Sequence, residues 1–215
     1  MKPAFLIAAV ALAAGAPAIA QTPAPERLVD ATKVFPMLDK FYSAPPADRS
    51  HLAMHYSFTE NGKPATSLHL TMVAGGKHTP LPILPDGRVE RIPTAADMAE
   101  HAQIAIDAPK GAKFAAHMSA DTAIRPALEV NAADCAKAID QYNTQVRRQA
   151  GVMALVVPKA KACTFPGAGS GAAVMGDGKT QPLPIVKGMP AFEPEAMKGA
   201  RTVRLAKAPT LVSLE

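Results

Sequence analysis

The sequence predicts an α+β fold of two tandem similar units, each a helix packed on a small antiparallel sheet. The first observation is a repeat: Gly76-Lys77-His78-Thr79-Pro80-Leu81-Pro82-Ile83 returns as Gly178-Lys179-Thr180-Gln181-Pro182-Leu183-Pro184-Ile185. The second is that the flanks return in the same order. An apolar segment precedes each copy (Leu68 to Val73; Ala172 to Met175), and Tyr56-Ser57-Phe58 corresponds further upstream to Cys163-Thr164-Phe165. Downstream come an acidic-led helical stretch (Thr94 to Glu100; Glu193 to Met197), an alternating strand (Ile104, Ile106; Val203, Leu205) and an Ala-Pro pair (Ala108-Pro109; Ala208-Pro209). Agreement on both sides of a motif reads as duplication. The third is that each copy joins one stretch of helical period to stretches of period two.

Residues 1–20 read as a secretory signal peptide. Lys2 precedes an apolar run from Ala4 to Ala14, and Gly15 and Pro17 break the helix before Ala18-Ile19-Ala20. Small residues at the first and third of those positions suit cleavage between Ala20 and Gln21. The run is shorter than the roughly 20 apolar residues that a membrane span needs, and no later stretch approaches that length, so no membrane span is expected. Gln21 is not cysteine, which argues against a lipid anchor. The expected location is the periplasm or the outside of the cell. Residues 21–29, with Pro23 and Pro25, read as a disordered leader.

The first unit is expected over residues 30–118. Pro36 suits the first turn of a helix that carries Phe35, Leu38, Phe41 and Tyr42 toward a core, and Pro45-Pro46 ends it. Leu52, Met54, Tyr56 and Phe58 then alternate with polar or small residues, as do Leu68, Leu70 and Met72 after Asn61-Gly62. The pattern predicts a hairpin of these two strands with one apolar and one polar face. Pro85-Asp86-Gly87 predicts a turn into a strand over Arg88 to Ile92. The Pro-interrupted segments Pro80 to Ile83 and Pro182 to Ile185 belong at sheet edges or strand starts.

A linker is expected over residues 119–130, and the second unit over 131–215. Asn131 is a good N-cap for a helix running to about Gln149, with Cys135, Ala138, Ile139, Tyr142 and Val146 on its apolar stripe. Val152 to Val157 is an apolar run that periodicity does not divide between strand and helix. A strand over Lys161 to Phe165, a Gly-rich turn and a strand over Ala172 to Met175 match the first hairpin.

Composition narrows the partners. The chain carries a formal charge of +5, of which Lys2 leaves with the signal peptide, and the remaining charges are interspersed. No cluster of Lys or Arg marks a polyanion groove. With no Trp and only three Tyr there is little to stack on bases, so no nucleic-acid partner is expected.

Two residue sets carry candidate chemistry. Cys135 and Cys163 are the only cysteines. Export would place them where thiols oxidise, one on the helix stripe and one on the inward face of a strand. A disulfide between them is therefore expected, worth about 3 kcal/mol. The histidines His51, His55 and His69 share the polar face of the expected hairpin, where a three-residue turn would set His55 opposite His69, with His51 two positions along. That spacing suits zinc or copper.

Gly167-Ala168-Gly169-Ser170-Gly171 fits neither a dinucleotide fingerprint nor a nucleophile elbow. The first reading needs a third glycine where Ala172 stands, and the second needs a glycine two residues before Ser170, where Ala168 stands. The carboxylates Asp97, Glu100, Asp107 and Asp121 stand singly. No catalytic set emerges and no cofactor is required. The expected function is a non-enzymatic binding or envelope-associated module acting on an envelope ligand or protein, and the alternative is a metal-assisted hydrolase using the histidine face.

Overall fold

The computed structural model describes residues 27–150 and 158–215, an α+β chain of small antiparallel sheets and four α-helices. The expected signal peptide with its Ala20–Gln21 cleavage site, most of the expected leader and the whole run from Val152 to Val157 lie outside the described residues. No described helix is long and apolar enough to cross a membrane.

The first half begins earlier than expected. Residues 27–29 belong to strand β1 (Arg27–Asp30), which pairs antiparallel with β6 (Gln103–Asp107), Val29 opposite Ile104. β6 pairs in turn with β4 (His69–Ala74), and β4 with β5 (Lys77–Leu81), giving the order β1-β6-β4-β5. β5 is an edge strand, which accommodates the missing N–H of Pro80.

The second sheet of this half is formed by β2 (Leu52–Glu60), the two-residue β3 (Lys63–Pro64) and β7 (Phe114–Thr122), in the order β3-β2-β7. The expected hairpin of β2 with β4 is therefore corrected. Asn61 and Gly62 turn the chain at positive φ, as their residue types favour, but only Thr59 and Glu60 find partners beyond the turn. Ala65 and Leu68 then dive into the core, and β4 joins the other sheet. The strand expected over Arg88 to Ile92 shrinks to two bridges, Ser57 with Arg88 and Ile83 with Val89. Gly87 is required there, because a Cβ on it would stand 2.6 Å from the Phe58 carbonyl oxygen.

The first helical region also differs from the expectation around Pro36. It splits into α1 (Ala31–Val34) and α2 (Leu38–Ser43), with Met37 at φ 67° between them. The break seats Phe35, Leu38 and Phe41 in one core with Tyr56 and Phe58; the rings of Phe35 and Tyr56 meet edge to face at 5.1 Å. Helix α3 (Ala95–Ala99) starts on a capping box in which Thr94 and Asp97 bond each other's backbone N–H.

β7 runs through Thr122, so the connector between halves is shorter than the linker expected over 119–130. In the second half, β8 (Glu129–Asn131), β10 (Gly171–Met175), β11 (Thr180–Pro182) and β14 (Ala200–Leu205) make a sheet of order β11-β10-β14-β8. A further sheet orders β12 (Ile185–Val186), β13 (Met189–Phe192), β9 (Cys163–Thr164) and β15 (Ser213–Leu214) as β12-β13-β9-β15. Helix α4 (Ala132–Ala150) starts where Asn131 Oδ1 accepts the Ala133 N–H at 2.8 Å, and its stripe buries Cys135 and Ala138.

Candidate functional site

The histidines named by the sequence are dispersed. His55 faces Ser119 across the β2–β7 pair, whereas His69 faces Asp107 in the other sheet. Register decides this: a cross-strand pair needs strands that are neighbours, and β2 and β4 are not. His51 lies just before β2, its Nδ1 3.0 Å from Ser50 Oγ and its Nε2 3.4 Å from Asp134 Oδ1. Among the described residues no group of three His, Cys, Asp or Glu side chains is placed to hold a metal ion. The face of β2 that carries His55 instead meets His117, on β7, which the sequence reading did not single out. His117 stands opposite Ser57, with its Nε2 3.1 Å from Thr59 Oγ1.

Ser50, His51 and Asp134 have the residue types of a hydrolase relay, but their surroundings make them a clamp. Ser50 Oγ also accepts from Gln141 Nε2 at 3.1 Å, and the Gln141 amide bonds the His51 N–H and the Ala47 carbonyl as well. Arg148 bonds Asp48 nearby at 2.7 Å. These contacts fasten α4 of the second half to the chain before β2 of the first. A second cleft, of about 430 Å³, lies alongside, where α4 passes Leu52, Met54 and Met118, and none of the three relay residues lines it.

The expected disulfide is absent: Cys135 and Cys163 are both free and buried. Cys135 on α4 and Cys163 on β9 lie in one core cluster across the helix–sheet interface. The neighbouring Cys135 thiol, followed by burial, pushes the Cys163 pKa far above the ordinary thiol range. Two buried free thiols pack like small apolar side chains, and a bridge would require the sulfurs to close to about 2.05 Å. The Gly-rich loop leads into β10, a strand, so no helix stands behind it to hold a phosphate.

A further cavity, of about 530 Å³, opens between the two sheets of the first half. Val34, Phe58, Leu68 and Leu70, all buried, form its floor with Ile106 and Phe114. Its lining includes three cations, Arg27, Lys33 and Lys110, all exposed, and no carboxylate. Each comes from a different element: Arg27 from β1, Lys33 from α1 and Lys110 from the turn after β6. Asp30, whose carboxylate feels Lys33, is held below the usual range mainly by hydrogen bonds from Thr32. The cleft therefore combines an apolar interior with a positively charged mouth. The sequence reading missed it because its cations lie far apart along the chain, each single and unremarkable.

No family model, characterised protein or solved structure matches this chain.

Proposed function

We propose that the protein is a non-enzymatic binding module of the cell envelope, built from two copies of one helix-plus-sheet unit, and that it takes an anionic amphiphile in the cleft of the first unit. The observation that carries this reading is the cation-rimmed apolar cleft. Arg27, Lys33 and Lys110 surround an interior of Phe58, Leu68 and Leu70 with no carboxylate in the lining. A long-chain carboxylate places its tail on the apolar floor and its charge among the three cations, gaining burial and charge complementarity together. Export to the periplasm or beyond is the setting of this reading, supported by the Lys2-led apolar run and the Ala18-Ile19-Ala20 site.

Strand pairing supports the duplicated unit. In one sheet Thr71 has Pro80 and Ala105 as its neighbours; in the other Ala172 has Pro182 and Arg204. Val29-Asp30 and Val130-Asn131 end corresponding strands, and Ala31 and Ala132 begin the helices that follow. The corresponding side chains Asp30 and Asn131 each accept the N–H two residues on, at 2.9 and 2.8 Å. Such unit-by-unit agreement is what tandem duplication produces.

Calorimetric titration with dodecanoate, dodecanol and dodecyltrimethylammonium tests the ligand class. Saturable binding is expected for the carboxylate, weaker binding for the alcohol and none for the cation. The double variant Lys33→Glu/Lys110→Glu should weaken dodecanoate binding by roughly tenfold or more. Equal binding of the carboxylate and the cation, or no saturable binding by a folded protein, overturns the reading.

A further inference from the structure

We infer that the free edge of β7 pairs antiparallel with the same edge of a second copy of this chain, setting Lys113 of one copy opposite Asp121 of the other. Among the described residues β7 is the last strand in the order β3-β2-β7, and nine of its residues pair with β2 on one side only. Residues 115–119 are all exposed, and Met118 is 49% accessible. Phe114–Thr122 contains no proline and no lysine, and its one formal charge, Asp121, stands near its end, so the middle of the edge carries neither of these devices against edge pairing. At its far end Thr122 Oγ1 bonds the Val212 carbonyl at 2.7 Å and β15 lies against the strand, so the fully exposed stretch is residues 115–119, flanked by the half-buried Phe114 and Ala120.

The hydrogen-bonding phase restricts how such an edge can be used. Just beyond β7, Ala123 donates its N–H to the His51 carbonyl, so the odd-numbered residues of this segment turn their peptide groups toward β2. Phe114, Ala116, Met118 and Ala120 consequently turn theirs outward. An antiparallel partner must bring outward-turned residues opposite one another. Centred on His117, a self-pairing sets Ala116 opposite Met118 and Phe114 opposite Ala120, all in phase. The same register sets Lys113 opposite Asp121 twice, once on each side of the twofold axis. Lys113 is exposed, and among the described residues the Asp121 carboxylate hydrogen-bonds only the Ser119 hydroxyl, at 2.9 Å. Because odd residues face odd residues, the apolar faces of the two ribbons join, and exposed Ala116 and Met118 become mutually covered.

This self-complementarity favours a second copy over an unrelated extended peptide, and a twofold pairing closes after two chains. Phe114 and Ala116 line the cleft as well as this edge, but the proposal does not rest on ligand binding, since its readout is mass. Sedimentation of the protein, purified as its host accumulates it, is expected to show a monomer–dimer equilibrium. Lys113→Asp and Asp121→Lys should each weaken it by roughly tenfold, because each replaces two attractive pairs by two repulsive ones. The combined Lys113→Asp/Asp121→Lys variant should restore dimerisation. Met118→Pro, which removes an outward N–H, should give a monomer with unchanged far-ultraviolet dichroism; if it unfolds, the charge-swap series still decides. A monomer at the highest soluble concentration, or a dimer indifferent to both reversals, overturns the proposal.

Discussion

Gln141 Oε1 accepts the backbone N–H of His51 at 2.9 Å, joining the middle of α4 to the start of β2. The same amide donates to the Ala47 carbonyl at 2.7 Å, and the side chain is 4% accessible. Gln141→Ala therefore strands a backbone donor and an acceptor at the junction. The expected loss is about 2 kcal/mol in urea denaturation. Gln145→Ala should cost less, since its one bond, to the Asp48 carbonyl, is 3.4 Å long.

Tyr56 makes stability sensitive to alkali. Its hydroxyl donates to the Pro36 carbonyl at 2.6 Å, and burial, assisted by Tyr42 nearby, raises its pKa well above the ordinary tyrosine value. Above about pH 10 the unfolded chain loses this proton while the folded protein keeps it. The folded state then binds more protons than the unfolded state, so stability falls as pH rises, by up to about 1.4 kcal/mol per pH unit. Tyr56→Phe should remove this share of the slope while costing about 1 kcal/mol near neutrality. Denaturation curves of the two proteins between neutral and alkaline pH check both signs.

The cysteines should be inert in the folded protein. The thiolate is the reactive form, and the raised pKa of Cys163 together with burial of both residues withholds it. Ellman's reagent at pH 8 is expected to find no rapidly reacting thiol in the native protein and both after denaturation without reductant. Rapid native labelling, or their absence after denaturation, contradicts the reduced, packed pair.

Asp30 and Asn131 provide a matched pair of caps. Asp30→Ala and Asn131→Ala should each destabilise the protein by about 1 kcal/mol in denaturant titration, while replacement of either by Ser should be nearly neutral. The hydroxyl restores the oxygen that accepts the second N–H of the helix. A large loss at one position and none at the other would separate the two helices in their dependence on the cap.

What the sequence made legible was local. Alternation marked β2 and β4 as strands, Asn61-Gly62 as a turn, Asn131 as a cap and Pro80 and Pro182 as edge residues, because each follows from backbone preferences within a few residues. Partnership was not legible. A good turn between two alternating segments implies a hairpin, yet β2 takes β7 as its long partner and leaves β4 to β6. β7 itself escaped notice because Ala115, Ala116 and Ala120 give its alternation almost no contrast in hydropathy, and His117 was lost with it. Gly87 marks the same limit: its turn was foreseen, but only the folded chain brings the Phe58 carbonyl against it.

The pairing of β1 with β6 and of β8 with β14 bears on how fast the chain reaches this state. Arg27 must find Ile106, and Glu129 must find Arg204, so each sheet is completed by segments that lie far apart along the chain. The entropy of closing such long loops is lost before most of the ladder can repay it. Folding should accordingly be slow for the size of each half, in the range of about milliseconds to seconds typical of non-local β topologies.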